Sequence, residues 1–378
     1  MFAPLLSGCH STDFTVETGR SLYSNVEPSN SFSTKREVPF CGNLGKILVT
    51  GGAGFIGSAL IHALNQWGLE DILITDFLGK GDKWKNLRAL RFDNCLPADR
   101  FLQKLEQSAA FYGDFGAVFH LGACSSTVEC NLDYLLEKNY YYSLFLAKWA
   151  LARGVRFVYA SSAATYGDGL QGLDDKNDNL SCYRPLNPYA YSKYLFDVYA
   201  QKHGFLQRVV GIKYFNVFGP NEYHKGEMRS LVCKAYEQIL DTGVVKLFRS
   251  SHPEYRDGEQ RRDFVYVRDA VKMTLHLAAT SSAAGLFNVG SGISHTWVEL
   301  ANAVFSALGC SPRIKFIEMP ESIHQQYQYL TCADISKLRL SGYSCPITPF
   351  KDSVREYVTH YLPSGARLGD EKKIGKSN

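Results

Sequence analysis

Several features that would direct this 378-residue chain to other functions are missing from it. Ten cysteines are scattered from Cys9 to Cys345, but none forms a Cys-x-x-Cys pair, and no histidines gather at metal-ligand spacing. Neither a zinc site nor a disulfide framework is expected, and the thiols read as reduced core and surface groups in a cytoplasm. No apolar run is long enough to span a bilayer. No basic block stands out from a net charge of +4 and a pI of about 8.4, so nothing supports nucleic-acid binding. Internal repeats are absent too. What remains, 45% hydrophobic and 21% charged residues, is the composition of a globular enzyme with a sizeable core.

The two ends lack periodicity. Residues 1–43 are rich in Ser, Thr and Asn. They have no apolar stretch of secretory type, and Asp13, Glu17, Glu27 and Glu37 do not suit an acid-poor transit peptide. This segment is expected to be a disordered extension, and 364–378 (SGARLGDEKKIGKSN) a disordered charged tail. Between them, apolar runs of strand type (Lys46–Thr50, Asp71–Thr75, Ala117–His120, Arg156–Ala160) alternate with helical spacing, as over 56–68. Strands alternating with helices through short links predict an α/β fold, a Rossmann-type doubly wound parallel sheet. The expected division is a dinucleotide-binding domain over 44–212, with segments returning from 255–300, and a smaller C-terminal α/β substrate-binding lobe over 213–363.

The first strand runs into Gly51-Gly52-Ala53-Gly54-Phe55-Ile56-Gly57, which opens the first helix. Glycines allow a tight turn and close approach of backbone to a pyrophosphate, and the helix N-terminus offers oriented N–H groups. The spacing alone is weak evidence. The preceding strand, the following helix and Asp76, placed near the roughly 20-residue separation expected of a ribose-binding carboxylate, make a turn without a ligand the poorer reading. Asp76 alone favours NAD. Lys80, Lys83 and Lys85 follow, and a lysine there can neutralise a 2′-phosphate, which points to NADP with NAD as the alternative. Each lysine taken singly reads better as a solvated loop residue.

Tyr189-Ala190-Tyr191-Ser192-Lys193 places Tyr189 and Lys193 on one helical face. An ammonium beside a phenol lowers its pKa and suits it to general base work. Ser162, directly after the strand Arg156–Ala160, stands where ligands of parallel sheets bind and can hold a substrate oxygen. On its own Ser162 reads equally well as a strand-end turn.

These residues resemble the extended short-chain dehydrogenase/reductases. Gly122–Thr127, Ser161–Gly167, Pro185–Asn187, Tyr189–Asp197, Tyr214–Met228, Arg262–Val267 and Tyr327–Asp334 narrow the resemblance to the ADP-L-glycero-D-manno-heptose 6-epimerases, with His224-Lys225-Gly226 the most discriminating element. The resemblance implies a homo-oligomer, often pentameric, acting on an ADP-heptose. In it NADP removes a hydride from C6 of the sugar and returns it to the other face. Tyr189 and Lys225 match the two acid/base positions, supported by Lys193 and Ser162. Cofactor contacts carry over to Gly51, Gly54, Phe55, Ile56, Gly57, Asp76, Phe77, Lys83, Leu121, Gly122, Ala123, Cys124, Ser125, Asn139, Tyr189, Lys193 and Val217. Sugar-nucleotide contacts carry over to Ser162, Asn216, Lys225, Phe248, Arg249, Ser250, Ser251, Arg262 and Tyr327, where the fork of Arg262 suits a diphosphate. Without the resemblance, Lys225 reads as a loop lysine paired with Glu222 or with solvent, and Arg262 as a surface residue paired with Asp263 or another carboxylate. The chain departs from the family pattern at Phe77, Ala98, Leu121, Glu227 and Lys234.

Three other readings share these motifs. A sugar-nucleotide 4,6-dehydratase needs an Asp-Glu pair where this chain has Ala163-Ala164. A UDP-hexose 4-epimerase would leave Lys225 idle. A non-catalytic NADP sensor typically loses the Tyr-Lys pair, which is intact here.

Overall fold

The computed structural model describes residues 44–108, 112–176, 178–321 and 327–370, and the expected extension at 1–43 lies outside them. The strands are β1 (Ile47–Thr50), β2 (Ile72–Asp76), β3 (Asn94–Pro97), β4 (Ala117–His120), β5 (Arg156–Ser162), β6 (Val210–Tyr214), β7 (Asn216–Phe218), β8 (Val245–Phe248), β9 (Arg261–Tyr266), β10 (Gly285–Val289), β11 (Ser294–Thr296) and β12 (Ile314–Ile317). The main helices are α1 (Phe55–Gln66), α2 (Ala98–Gln107), α3 (Leu132–Leu135), α4 (Tyr142–Ala152), α5 (Pro188–Lys202), α6 (Leu231–Thr242), α7 (Val267–Ala279) and α8 (Trp297–Ala307).

Seven strands form one sheet in the order β10-β6-β5-β4-β1-β2-β3, every pairing parallel. Successive side chains of a strand point to opposite faces, and the apolar runs serve both. Ile47 and Val49 of β1, with Ile72, Ile74 and Phe119, bury against Leu60, Ile61 and Leu64 of α1 and Val271 and Leu275 of α7. Leu48, with Leu73, Val118 and Phe157, buries against Phe101 of α2, Leu146 and Ala150 of α4 and Phe196 of α5. Two cores on one parallel sheet are the doubly wound architecture. The chain switches direction between β1 and β4, and a crevice opens beyond their carboxyl ends.

The expected boundary at 212/213 cuts through β6. β10 and α7 return to the main sheet from later sequence, because their apolar residues complete the first core. The smaller elements are the β7-β9-β11 sheet and the β8-β12 pair. Part of the expected tail is ordered structure: Ala366, Arg367, Leu368 and Asp370 are buried. Arg88 pairs with Asp370 at 2.6 Å, so the charges of this stretch have partners inside the protein. The rest of that tail, 371–378, lies outside the described residues. No helix among the described residues is long and apolar enough to cross a membrane.

Candidate active site

The turn after β1 is shaped by its glycines. Gly51 has φ +68°, and a Cβ there would come within 2.6 Å of the Gly122 backbone. At Gly57 a Cβ would sit 2.2 Å from the Gly51 carbonyl oxygen. Only hydrogens allow α1 to start this close to β1, which leaves its N-terminal N–H groups facing the crevice with no acidic residue in the first turn. Asp76, at the end of β2, closes the turn. Its carboxylate accepts from Ala53 N (2.8 Å) and Phe77 N (2.6 Å) and pairs with Lys83.

A cleft of about 670 Å³ opens above this turn. Gly51, Gly54, Phe55, Ile56, Gly57, Asp76, Phe77, Lys83, Leu121–Ser125, Ser162, Tyr189, Lys193, Val217 and Lys225, all singled out from sequence, line it. Of the three loop lysines only Lys83 reaches it; Lys85 turns to Asp82 at 2.8 Å. Asn139 is not in the lining. Fully buried, it accepts from Cys124 N (2.8 Å) and donates to Cys124 O (3.0 Å) and Ser192 Oγ (2.9 Å), so it braces the loop after β4 from behind. The preceding residue, Lys138, lines the cleft instead, its amine 4.3 Å from the centre of the Phe77 ring. Sequence reading missed Lys138 and Tyr134, although their four-residue spacing on a helical segment was a usable signal.

Tyr189 and Lys193 share a face of α5. The Asn187 side chain caps this helix by accepting from Ala190 N at 2.8 Å, and Pro188 takes the first turn, where no N–H is needed. Below them a buried network fixes α5 to the sheet: Asp197 accepts from Tyr159 OH (2.8 Å), Ser161 Oγ (2.6 Å) and Lys213 Nζ (3.2 Å). β5 runs two residues beyond its expected end, so Ser162 lies within the strand.

The expected lowering of the Tyr189 pKa is not what the structure shows. Burial raises it, against the hydrogen bond with Ser162 that works the other way. The Lys193 amine donates to Ala160 O at 2.8 Å, and burial pushes its own pKa down to about 8, with Asp197 opposing. Burial likewise lowers the Lys225 pKa, opposed by Glu222. Glu222 does not pair with Lys225; its carboxylate accepts from Gly219 N, Ser230 N and Ser230 Oγ. Among the described residues no carboxylate pairs with Lys225, whose amine lies 5.5 Å from the centre of the Phe55 ring. His224 beside it is held neutral, pushed down to about 4 by burial and then by Lys83 and Lys225.

A second group of expected residues lies outside the lining of the cleft. Arg262 on β9 is buried over the rings of Tyr327 (5.0 Å) and Trp297 (5.6 Å), and Trp297 donates to Tyr327 OH at 2.7 Å. Asp263 is not its partner, being occupied by Ser291, Gly292 and Ala333, and among the described residues no carboxylate pairs with Arg262. An unpaired buried guanidinium fits an anionic ligand. Arg249 is less free, held by Asp257 (2.9 Å) and Glu318 (3.1 Å). Asn216 on β7 is exposed. Among the departures from the family pattern, Glu227 and Lys234 form an ion pair at 3.3 Å. No group of three or more metal-ligating side chains occurs among the described residues.

Comparison with known proteins places this geometry. Residues 47–290 match the model of the NAD dependent epimerase/dehydratase family. A curated protein of Nitratidesulfovibrio vulgaris, ADP-L-glycero-D-manno-heptose-6-epimerase, is 47% identical over 317 residues, covering 83% of this chain and 97% of the relative. The crystal structure of the Helicobacter pylori protein of that name superposes with a TM-score of 0.69 at 28% identity, over 83% of this chain and 95% of the other. Thermus thermophilus UDP-glucose 4-epimerase, solved as a complex with NAD, superposes with a TM-score of 0.65 at 27% identity, over 85% and 99%.

Proposed function

The chain belongs to the NAD dependent epimerase/dehydratase family and is an epimerase, and we propose that it inverts C6 of ADP-D-glycero-β-D-manno-heptose to give the L-glycero epimer for lipopolysaccharide core. The observation that carries this reading is that two proton-transfer groups of different chemistry, Tyr189 and Lys225, line one cleft beside a dinucleotide cradle. The full-length similarity to a relative of that name supports the sugar.

A nicotinamide dinucleotide fits the cleft: the glycine turn leaves no room for a Cβ at Gly51 or Gly57, and α1 points its free N–H groups at the space. When bound it supplies reversible hydride transfer at the sugar carbon. Gly51–Gly57, Asp76, Phe77, Lys83, Leu121–Ser125, Lys193 and Val217 would hold it. We read it as NADP, with NAD as the alternative, because Lys83 neutralises Asp76 and Lys138 adds a second cation beside Phe77.

Inversion through a ketone requires an acid/base on each side of the carbonyl. The opposite pKa shifts distinguish the two groups. A lowered lysine and a raised tyrosine leave Lys225 as the readier proton acceptor and Tyr189 as the donor. Ser162 orients the sugar oxygen, and Lys193, near its own pKa at neutral to mildly alkaline pH, supplies charge beneath it. Arg262 takes the diphosphate, with Asn216, Phe248–Ser251 and Tyr327 around the nucleotide. The working form is a cytoplasmic homo-oligomer, and a pentamer is the expected size. The decisive experiment incubates the purified protein with ADP-D-glycero-β-D-manno-heptose and follows the C6 epimer by NMR. Accumulation of the L-glycero form supports the proposal. Conversion of a UDP-hexose at C4 with no change in the heptose would overturn it.

A further inference from the structure

The loop that carries Lys225, residues 219–228, holds one short 3-10 stretch, Tyr223–Met228, and that stretch is broken at Gly226 (φ +53°). Its turn residue Asn221 is fully buried at φ +81°, a left-handed conformation that side chains rarely adopt and that surrounding contacts must impose. Those contacts are long-range. Asn221 Nδ2 donates to Ser58 Oγ on α1 at 2.9 Å, and Asn221 Oδ1 accepts from Leu368 N at 3.0 Å. Asn86, 2% exposed, donates from Nδ2 to both Ala53 O in the glycine turn and Asn221 O, each at 3.0 Å, and lies 3.3 Å from His224 Nδ1. Its Oδ1 accepts from Arg367 Nε at 2.9 Å. The Arg367 guanidinium also covers the Tyr223 ring at 5.2 Å, and Tyr223 OH donates to Ala366 O at 2.9 Å.

We propose that the stretch Ala366–Asp370 is a clasp and that Arg367 and Asn86 are positioning residues for Lys225, tying its loop to the turn that cradles the cofactor. Asn86, Asn221, Arg367 and Leu368 are buried and Tyr223 and His224 half-buried, so a hydrogen bond lost among the buried groups leaves an unsatisfied partner that the loop must move to repair. The elements joined are the dinucleotide turn, through Ala53, and the loop of the second acid/base group, through Asn221 and His224. Tyr189, mounted on α5, stands outside this chain of contacts. The clasp therefore acts on one of the two proton-transfer groups, a role that rests on the function proposed above.

The test uses the full chain with its cofactor and the variants Arg367→Met and Arg367→Lys. Reduction of the bound nicotinamide is followed in a single turnover from each of the two C6 epimers. A displaced Lys225 slows hydride removal from one epimer by up to about a hundredfold, leaves the other within about twofold, and recovers largely in Arg367→Lys. Unchanged rates with both epimers overturn the proposal, as do equal losses with both, which mark general loosening. A parent protein that epimerises no heptose counts against the proposed function alone. The clasp is then read by hydrogen exchange of the backbone amides in 219–228: faster exchange in Arg367→Met supports it, and unchanged exchange overturns it.

Discussion

Tyr189 and Lys225 look into the same cleft from supports built in opposite ways. Tyr189 stands on a 15-residue helix with its own cap, braced by Asp197 from within the same helix. Lys225 stands on a loop whose shape is imposed by Asn86 and Leu368, distant in sequence and adjacent in space. The first support combines a capped helix with several separate bonds to β5 and β6, so single losses are absorbed. The second is a short series of buried hydrogen bonds, each of which matters. The same contrast runs through the cofactor side, where the glycine turn is rigid and the lysines at its rim are held by single ion pairs.

The largest effects should fall on the two proton-transfer groups. Tyr189→Phe and Lys225→Met are each expected to slow epimerisation on the order of 10²–10⁴-fold with the dinucleotide still bound, as NMR of the sugar and the cofactor content of purified protein will show. The pair should differ in pH dependence. Lys225, lowered by burial, accepts a proton only when neutral, so the rate should rise with pH through a limb below the ordinary lysine value. It should fall again above the ordinary tyrosine range as Tyr189 ionises. A rising limb that persists unmoved in the residual activity of Lys225→Met would assign it elsewhere.

Next comes the rigid side of the comparison. Gly57→Ala drives a methyl into the Gly51 carbonyl and should cost about 1–3 kcal/mol of stability together with cofactor binding, measured by thermal unfolding and dinucleotide titration. Normal binding would mean that the turn yields more than its packing suggests. Lys83→Ala should weaken NADP by about tenfold, roughly 1.4 kcal/mol, and NAD much less, since it unmasks the Asp76 charge against a 2′-phosphate. Equal loss for the two would reduce Lys83 to a loop residue. The smallest effect is expected from Asn187→Ala, which removes the α5 cap and costs about 1 kcal/mol. If that variant loses as much activity as Lys225→Met, Tyr189 is less firmly supported than its helix implies.

What sequence made legible follows the same division. The strand, glycine turn, helix and Asp76 are neighbours in the chain, and periodicity with turn chemistry is enough to place them. The Tyr189–Lys193 pair followed from a motif of that kind, whereas Phe77, Leu121–Ser125 and Val217 in the cleft lining came only from the resemblance to the epimerases. Contacts between distant segments left no local trace. Residues 364–370 carry the composition of a tail, yet Leu368 is buried and Asp370 is matched by Arg88. Asn139 and Lys138 are adjacent, and only the packing of Asn139 against Cys124 shows which of them faces the cleft. Lys193 was expected to act on Tyr189, but its amine donates to the Ala160 carbonyl and burial raises the Tyr189 pKa. Glu227 and Lys234, seven residues apart, are two departures from the family pattern that meet in one ion pair.

The bond from Arg367 to Asn86 spans 281 residues of chain. At roughly 5–20 residues per second, a ribosome would finish Asn86 on the order of 14–56 s before Arg367. The seven-stranded sheet, complete at β10, has time to assemble first. The last contacts made are then those around Lys225, together with the packing of Ala366 and Leu368 on the first core. Products cut short before Ala366 would lack both that packing and the bonds that shape the loop of the second acid/base group.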